Sequence, residues 1–282
     1  MTSREEKNKI YVDEINKEKT IKIAKIILKT LGVILIIFTI LFLYIRFYEP
    51  YTYQTNEYVI KDIKIPDNFN GVKVLHFTDL LYGSTITNKD IEKLKNEINL
   101  INPDIVFFTG NIISNEYEIT EEEIKLLNNF FNEIPYKIGK YVVSGNFDNH
   151  NFDLIIEKTN FTTLNNEIVS IYNGLDKINL IGISHSSDKE VKKDNDLYTI
   201  TIINNYDDYS KYNINSNLVF AGHNLGGELK PFGIPLIGED KYLNSYYELD
   251  NSKIYISNGL GSIHKIRFMN KPSMNVYRLY NK

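Results

Sequence analysis

Val72–Leu81 reads VKVLHFTDLL. Its first seven residues are β-branched, aromatic or leucine apart from Lys73 and His76, and Asp79 follows them. A short, mostly apolar run that stops at a small polar side chain predicts a buried strand delivering that side chain to its tip. The pattern returns down the chain. Ile105–Thr109 (IVFFT) runs into Gly110-Asn111, and Tyr141–Ser144 into Gly145-Asn146-Phe147-Asp148. Thr199–Ile203 runs into Asn204-Asn205-Tyr206-Asp207, and Leu218–Ala221 into Gly222-His223-Asn224-Leu225-Gly226-Gly227-Glu228. Strand C-termini are where open α/β sheets build their sites. Glycine beside a short polar residue lets the backbone turn sharply there.

Between the early strands the spacing is helical. Lys89–Leu100 places Ile91, Leu94, Ile98 and Leu100 in an apolar pattern, with Thr87 or Asn88 available as cap and Asn102-Pro103 as stop. Thr120-Glu-Glu-Glu123 is a capping box opening a helix to Glu133. Tyr58–Ile65 reads as a first strand, and Asp153–Thr159 as a short helix. Thereafter strands follow one another with only turns expected between them: Phe161–Leu164, Ile178–Ile183, Thr199–Ile203, Leu218–Ala221, Lys253–Ser257 and Met274–Leu279. Alternation first and strand runs later predict an α/β fold of two packed sheets with helices outside.

The N-terminal fifty residues differ from the rest. Thr30–Ile45 (TLGVILIIFTILFLYI) carries no charge and is closed by Lys29 and Arg46. The run is slightly short of the roughly 17–25 residues a bilayer core requires. It lengthens when Lys29 and Arg46 snorkel, and Tyr44, Phe47 and Tyr48 then sit at an interface that favours aromatic rings. Arg4, Lys7, Lys9, Lys17, Lys19, Lys22, Lys25 and Lys29 precede the run, and Arg46 alone follows it at close range. That bias puts the N-terminus in the cytoplasm and the large domain outside the cell membrane. The apolar run is long for a signal-peptide core and no A-x-A-like site follows, so it reads as an uncleaved single-pass anchor. The expected organisation is a cytoplasmic segment (1–29), a transmembrane helix (30–48), a leader (49–70) and one domain (71–282).

A net charge of −4 gives no reason to expect nucleic acid as a partner. The absence of cysteine rules out disulfides, thiolate nucleophiles and cysteine-ligated zinc. There is no internal repeat.

Taken in order, the strand-end loops resemble those of the calcineurin-like metallophosphoesterases, and more closely a membrane-associated bacterial branch of that family. The family pattern is D-x-H, G-D, G-N-H-D/E, a lone His, then G-H-x-H-G-G-Q. Ile254–Gly261 and Ile266–Ser273 are similar to the tail of that branch. The resemblance covers roughly residues 70–280 and implies a four-layer αββα sandwich of two mixed sheets. It also implies phosphoester hydrolysis at two divalent metals about 4 Å apart.

The sequence departs from that pattern where the chemistry lies. Asp79, Asn146 and His223 keep the family residue. The D-x-H histidine is Leu81, the bridging aspartate Asn111, the phosphate-side histidine Phe147, the lone histidine Asn204, and the second G-H-x-H histidine Leu225. Leucine and phenylalanine offer a metal no lone pair, and a neutral asparagine carbonyl cannot offset two close cations. His150, His185 and Glu228 are candidates for a relocated site, though the two histidines read more simply as loop residues. His76 reads as a packed strand residue, His264 as a late-loop residue, and Asp148 as a brace for its turn through backbone N–H groups.

The glycine frame is intact. The expectation is therefore an inactive family member with no metal cofactor, binding or scaffolding an unidentified protein or lipid-phosphate partner outside the membrane. The alternative is an active hydrolase with a remodelled site holding two ions of Mn, Fe or Zn.

Overall fold

The computed structural model of the chain describes residues 3–148, 150–185, 191, 196–212, 214–238, 241–249 and 252–282. It divides into two units, 1–45 and 46–282. The first is carried by helix α1 (Arg4–Phe47). From Thr30 to Ile40 its apolar stretch is exposed on every face, with Leu35, Ile36, Phe38 and Ile40 each 60–68% accessible. That excludes a core helix of a globular domain, and the helix is long and apolar enough to cross a membrane. At 1.5 Å per residue its 44 residues span about 66 Å, roughly twice a hydrocarbon core, so only part of it would lie in lipid.

The second unit begins with β1 (Gln54–Lys61), β2 (Lys73–Phe77), α2 (Asn88–Ile101), β3 (Ile105–Phe108), α3 (Glu121–Glu133), β4 (Gly139–Val142), α4 (His150–Ile156) and β5 (Thr162–Thr163). It continues with β6 (Glu167–Asn173), β7 (Asp176–Ile183), β8 (Thr199–Ile203), β9 (Leu218–Ala221), β10 (Tyr246–Leu249), β11 (Ser252–Ile256) and β12 (Ser273–Tyr280). One six-stranded sheet runs β1-β12-β2-β3-β4-β5 and the other β10-β11-β9-β8-β7-β6. Both mix parallel and antiparallel pairs.

Three apolar layers hold the sheets. Helices α2, α3 and α4 cover the outer face of the first sheet through Ile91, Leu94, Leu127, Phe131 and Ile155, packed on Leu75, Phe77 and Val106. Val74, Phe107, Leu180, Ile200, Phe220 and Tyr277 fill the space between the sheets. Ile181, Ile203, Val219 and Ile254 face outward from the second sheet. They are covered by tyrosines from a 3-10 helix at Tyr206–Lys211 and from nearby loops. His76 is fully buried in β2, bonded through Nε2 to Thr109 Oγ1 at 3.0 Å and tilted on Phe220. Burial drives its pKa down to about 3, so it is a neutral core residue, as its place in the strand predicts.

The capped helices lie where the sequence puts them. Thr87 caps α2, its N–H donating to Asp90, and Thr120 caps α3, its Oγ1 accepting from Glu123 N. Other boundaries need correction. The first strand is Gln54–Lys61 rather than Tyr58–Ile65, because its extent is fixed by parallel pairing with β12 from Gln54↔Ser273 to Lys61↔Tyr280. β4 ends at Val142, before the expected Ser144, and α4 starts three residues before the expected Asp153. The later strands are not joined by turns alone. β7, β8, β9 and β11 are parallel neighbours and need crossovers, while the turn-linked antiparallel partners are two strands not anticipated, β6 and β10.

Candidate functional site

Six strand-end loops meet at one rim. The loop after β2 carries Asp79, with both carboxylate oxygens engaged. Asn111 Nδ2, from the loop after β3, donates to Oδ1 at 2.7 Å, and the backbone N–H of His223, after β9, donates to Oδ2 at 2.8 Å. Asn111 Oδ1 accepts from Phe147 N at 2.9 Å. Asn204, after β8, donates through Nδ2 to Thr109 O at 2.6 Å. The rings of Phe147 and His223 lie 6.0 Å apart. Asp79, Asn111, Asn204 and His223 lie together at this rim with Phe147 beside them. Asn146 lies in the same loop as Phe147 and is exposed.

Two glycines make the approach possible. A Cβ on Gly145 would collide with the side chains of Asn111 and Asn204, and one on Gly222 with Thr78 and Asp79. The bends are unusual. Asp79, Leu81, Asn111, His223 and Leu225 all have φ between +45° and +74°, a region that disfavours side chains, leucine above all. Strained backbone of this kind collects at functional sites.

Leu81 and Leu225 are buried at 1% and 2% exposure. Leu81 lies over Gly261 and Leu225 over Gly259, where Asp79 also packs. Asp148 accepts from Asn111 N, Gly145 N and Ile112 N at 2.7–2.9 Å, so it braces the turn as expected. Burial pushes its carboxyl up to about 6 against the pull of those three N–H groups. Burial likewise raises Asp79 above the ordinary carboxylate range, with His223 and Asn111 opposing.

The candidates for a relocated site do not assemble one. His150 is the exposed first residue of α4. His185 is exposed at the end of β7, its N–H donating to Ser144 O. Glu228 is buried and turned the other way, onto Ser262 Oγ and His264 Nδ1.

Arg267 lies inside the stretch Ile266–Ser273, where no local pattern signals its role. It is fully buried and donates to the carbonyls of Leu225 (2.8 Å), Asn258 (2.8 Å), Gly261 (2.5 Å) and Asn270 (3.4 Å). It ties the glycine-rich loop after β9 to the loop after β11.

The donor set does not fit a two-metal centre. Asp79 has no oxygen free of internal donors, and Leu81, Phe147 and Leu225 offer no lone pair. Among the described residues no three His, Asp or Glu side chains converge on a point. Two polar atoms at the rim, His223 Nδ1 and Asn204 Oδ1, are buried without a hydrogen-bond partner.

Comparison with known proteins agrees with the architecture. No family profile matches the sequence. The chain is 29% identical over 260 residues to the uncharacterized metallophosphoesterase YkuE of Bacillus subtilis, covering 84% of this chain and 88% of that protein. It is 24% identical over 227 residues to the uncharacterized metallophosphoesterase Cj0846 of Campylobacter jejuni, covering 74% of this chain and 59% of that one. Over 91 residues it is 22% identical to a transmembrane protein with metallophosphoesterase domain of Danio rerio, covering 32% of this chain and 20% of that protein. The two six-stranded sheets with their rim of glycine-turned loops define a metallophosphoesterase-type α/β fold. Over most of its length the chain is similar to bacterial proteins named as metallophosphoesterases.

Proposed function

We propose that this chain is a membrane-anchored metallophosphoesterase-fold protein that has given up metal-dependent hydrolysis and serves as an extracytoplasmic binding or scaffold domain. The observation that carries the reading is the closed state of Asp79, whose two oxygens are bound by Asn111 Nδ2 and His223 N. In an active centre those oxygens would face cations. Here the neighbours that supplied ligands are replaced by groups that donate to Asp79 or pack beside it. Purified full-length protein is expected to carry substoichiometric Mn, Fe and Zn and to hydrolyse aryl phosphates no faster than background. Stoichiometric metal, together with turnover lost in Asp79→Ala, would reverse the reading.

The second reading, a hydrolase with a remodelled site, is favoured by the unpartnered His223 Nδ1 and Asn204 Oδ1, and the same measurement decides between them.

The topology half of the proposal rests on the run of Lys and Arg before Thr30 against the single Arg46 at close range after Ile45. Protease added to intact cells is expected to digest the chain beyond residue Pro50. Full protection of the domain would refute an outward orientation.

A further inference from the structure

Pro231–Gly238 (PFGIPLIG) contains no charged residue and no polar side chain. Phe232, Ile234 and Leu236 are 87%, 63% and 65% exposed. Single exposed apolar residues are ordinary, but a contiguous group marks a surface with an occupant. Phe232 is held outward at φ +53°, and a Cβ built on Gly233 meets nothing within 4 Å. The loop is therefore a protrusion.

Two further segments join it. Leu229 bridges Phe268, Lys230 N donates to Phe268 O at 2.9 Å, and Phe268 N donates to Glu228 O at 3.1 Å. This sets Met269 and Ile263, 53% and 43% exposed, on the same loop pair. Arg46 Nη1 donates to Lys265 O at 3.2 Å, and Asn270 N donates to Glu49 Oε1 at 2.7 Å. Phe47 and Tyr48, 59% and 57% exposed, flank those contacts. Arg46, Lys265 and Lys271 add positive charge. The carboxylates among the described residues of these segments, Glu49 and Glu228, are buried.

We propose that this loop cluster enters the headgroup–acyl boundary of a lipid bilayer, giving the domain a membrane contact of its own. Chain continuity names the occupant. Arg46 directly follows the uncharged run Thr30–Ile45, so where that run spans a bilayer, Arg46, Phe47 and Tyr48 lie at the interface. The segments hydrogen-bonded to residues 46–49 are then held at the same depth. A protruding apolar loop with basic neighbours suits lipid chains and phosphate headgroups. A protein partner that buries such a loop would have to supply a matching groove. The inference rests on the reading of residues 30–45 as a membrane span and is independent of what the rim binds.

Because the chain has no cysteine, single-cysteine labelling is clean. Full-length Phe232→Cys, Leu175→Cys and Phe38→Cys, each carrying a nitrobenzoxadiazole fluorophore, would be reconstituted in phosphatidylcholine–phosphatidylglycerol vesicles containing brominated lipids. Leu175, 99% exposed between β6 and β7, reports water. Phe38 reports the anchor. The label at 232 is expected to be quenched several-fold more than that at 175 by lipids brominated at shallow acyl positions, and the label at 38 by deep bromines. Quenching at 38 with equal signals at 232 and 175 overturns the proposal and leaves the anchor standing. No quenching at 38 removes the anchor reading, and the proposal with it. A label at 232 that is shielded from aqueous iodide yet untouched by brominated lipid shows a protein covering the loop, and also counts against a lipid occupant.

Discussion

Arg267→Met is expected to lower the melting temperature of the full-length protein by roughly 10 °C or more, the largest loss from any single substitution away from the apolar core. The guanidinium is fully buried and donates to carbonyls of Leu225, Asn258, Gly261 and Asn270. Burial lowers its pKa to about 10, and Glu228, Asp79 and Glu49 act to hold the proton, so it stays charged near neutrality. Methionine fills much of the volume but takes the guanidinium donors from the carbonyls of Asn258, Gly261 and Asn270, while Leu225 O keeps Asn270 Nδ2 at 2.7 Å. Each buried, unsatisfied group costs about 1–3 kcal/mol, and relief of the guanidinium's own desolvation recovers part of the sum. Arg267→Lys should recover little, since one ammonium cannot reproduce the two-pronged fork. Arg278→Met is the control. That side chain is partly exposed and sits 3.8 Å from Glu57, a geometry of little worth to stability. The chain has no tryptophan, so the transition is best followed by circular dichroism. Equal melting of Arg267→Met and Arg278→Met would mean that the loops after β9 and β11 hold their shape without this residue.

Arg267 also shows where reading the sequence stops. Local signals located what they could. Apolar runs located β2, β3, β8 and β9, the cap candidate Thr87 marked the start of α2, and a Thr-x-x-Glu box the start of α3. The order of the strand-end motifs pointed Asp79, Asn111, Asn146, Asn204 and His223 toward one rim, where Asn146 is exposed. A buried arginine in an irregular loop has no periodicity to betray it. Its role exists only once two loops distant in sequence have met. The closure of Asp79 is of the same kind, since it depends on an amide thirty-two positions away pointing inward.

The missed strands failed for different reasons. β6 and β7 are joined by the two-residue loop Gly174-Leu175, and glycine at the first position of such a loop is a hairpin signal, so β6 was legible. β10 is mostly exposed and was not. The start of β1 is dictated by β12 at the other end of the chain, which no window around residue 54 contains.

Restoring the family's ligands asks whether the loss stops at those side chains. The variant combines Leu81→His, Asn111→Asp, Phe147→His, Asn204→His and Leu225→His. In chelator it should melt below wild type. Imidazoles at the buried Leu81 and Leu225 positions cost about 1–3 kcal/mol each when unpaired. Asn111→Asp removes the donor that now closes Asp79 and sets a second carboxylate beside it, where one must take up a proton or repel the other. A metal inverts each of these penalties, because freed carboxylates and unpaired imidazoles are what a divalent cation requires. Manganese at a hundredfold excess over its dissociation constant stabilises a folded state by about 2.7 kcal/mol, which for a domain of this size raises melting by roughly 5–10 °C. Wild type should move with neither chelator nor manganese. The backbone favours this outcome, since Asp79, Leu81, Asn111, His223 and Leu225 keep left-handed bends that leucine alone would not choose. A restored protein that folds but gains nothing from any divalent ion would place the change deeper than the ligands. The rim would then be a cavity rebuilt around its own hydrogen bonds for another ligand, with His223 Nδ1 and Asn204 Oδ1 as the atoms left to meet it.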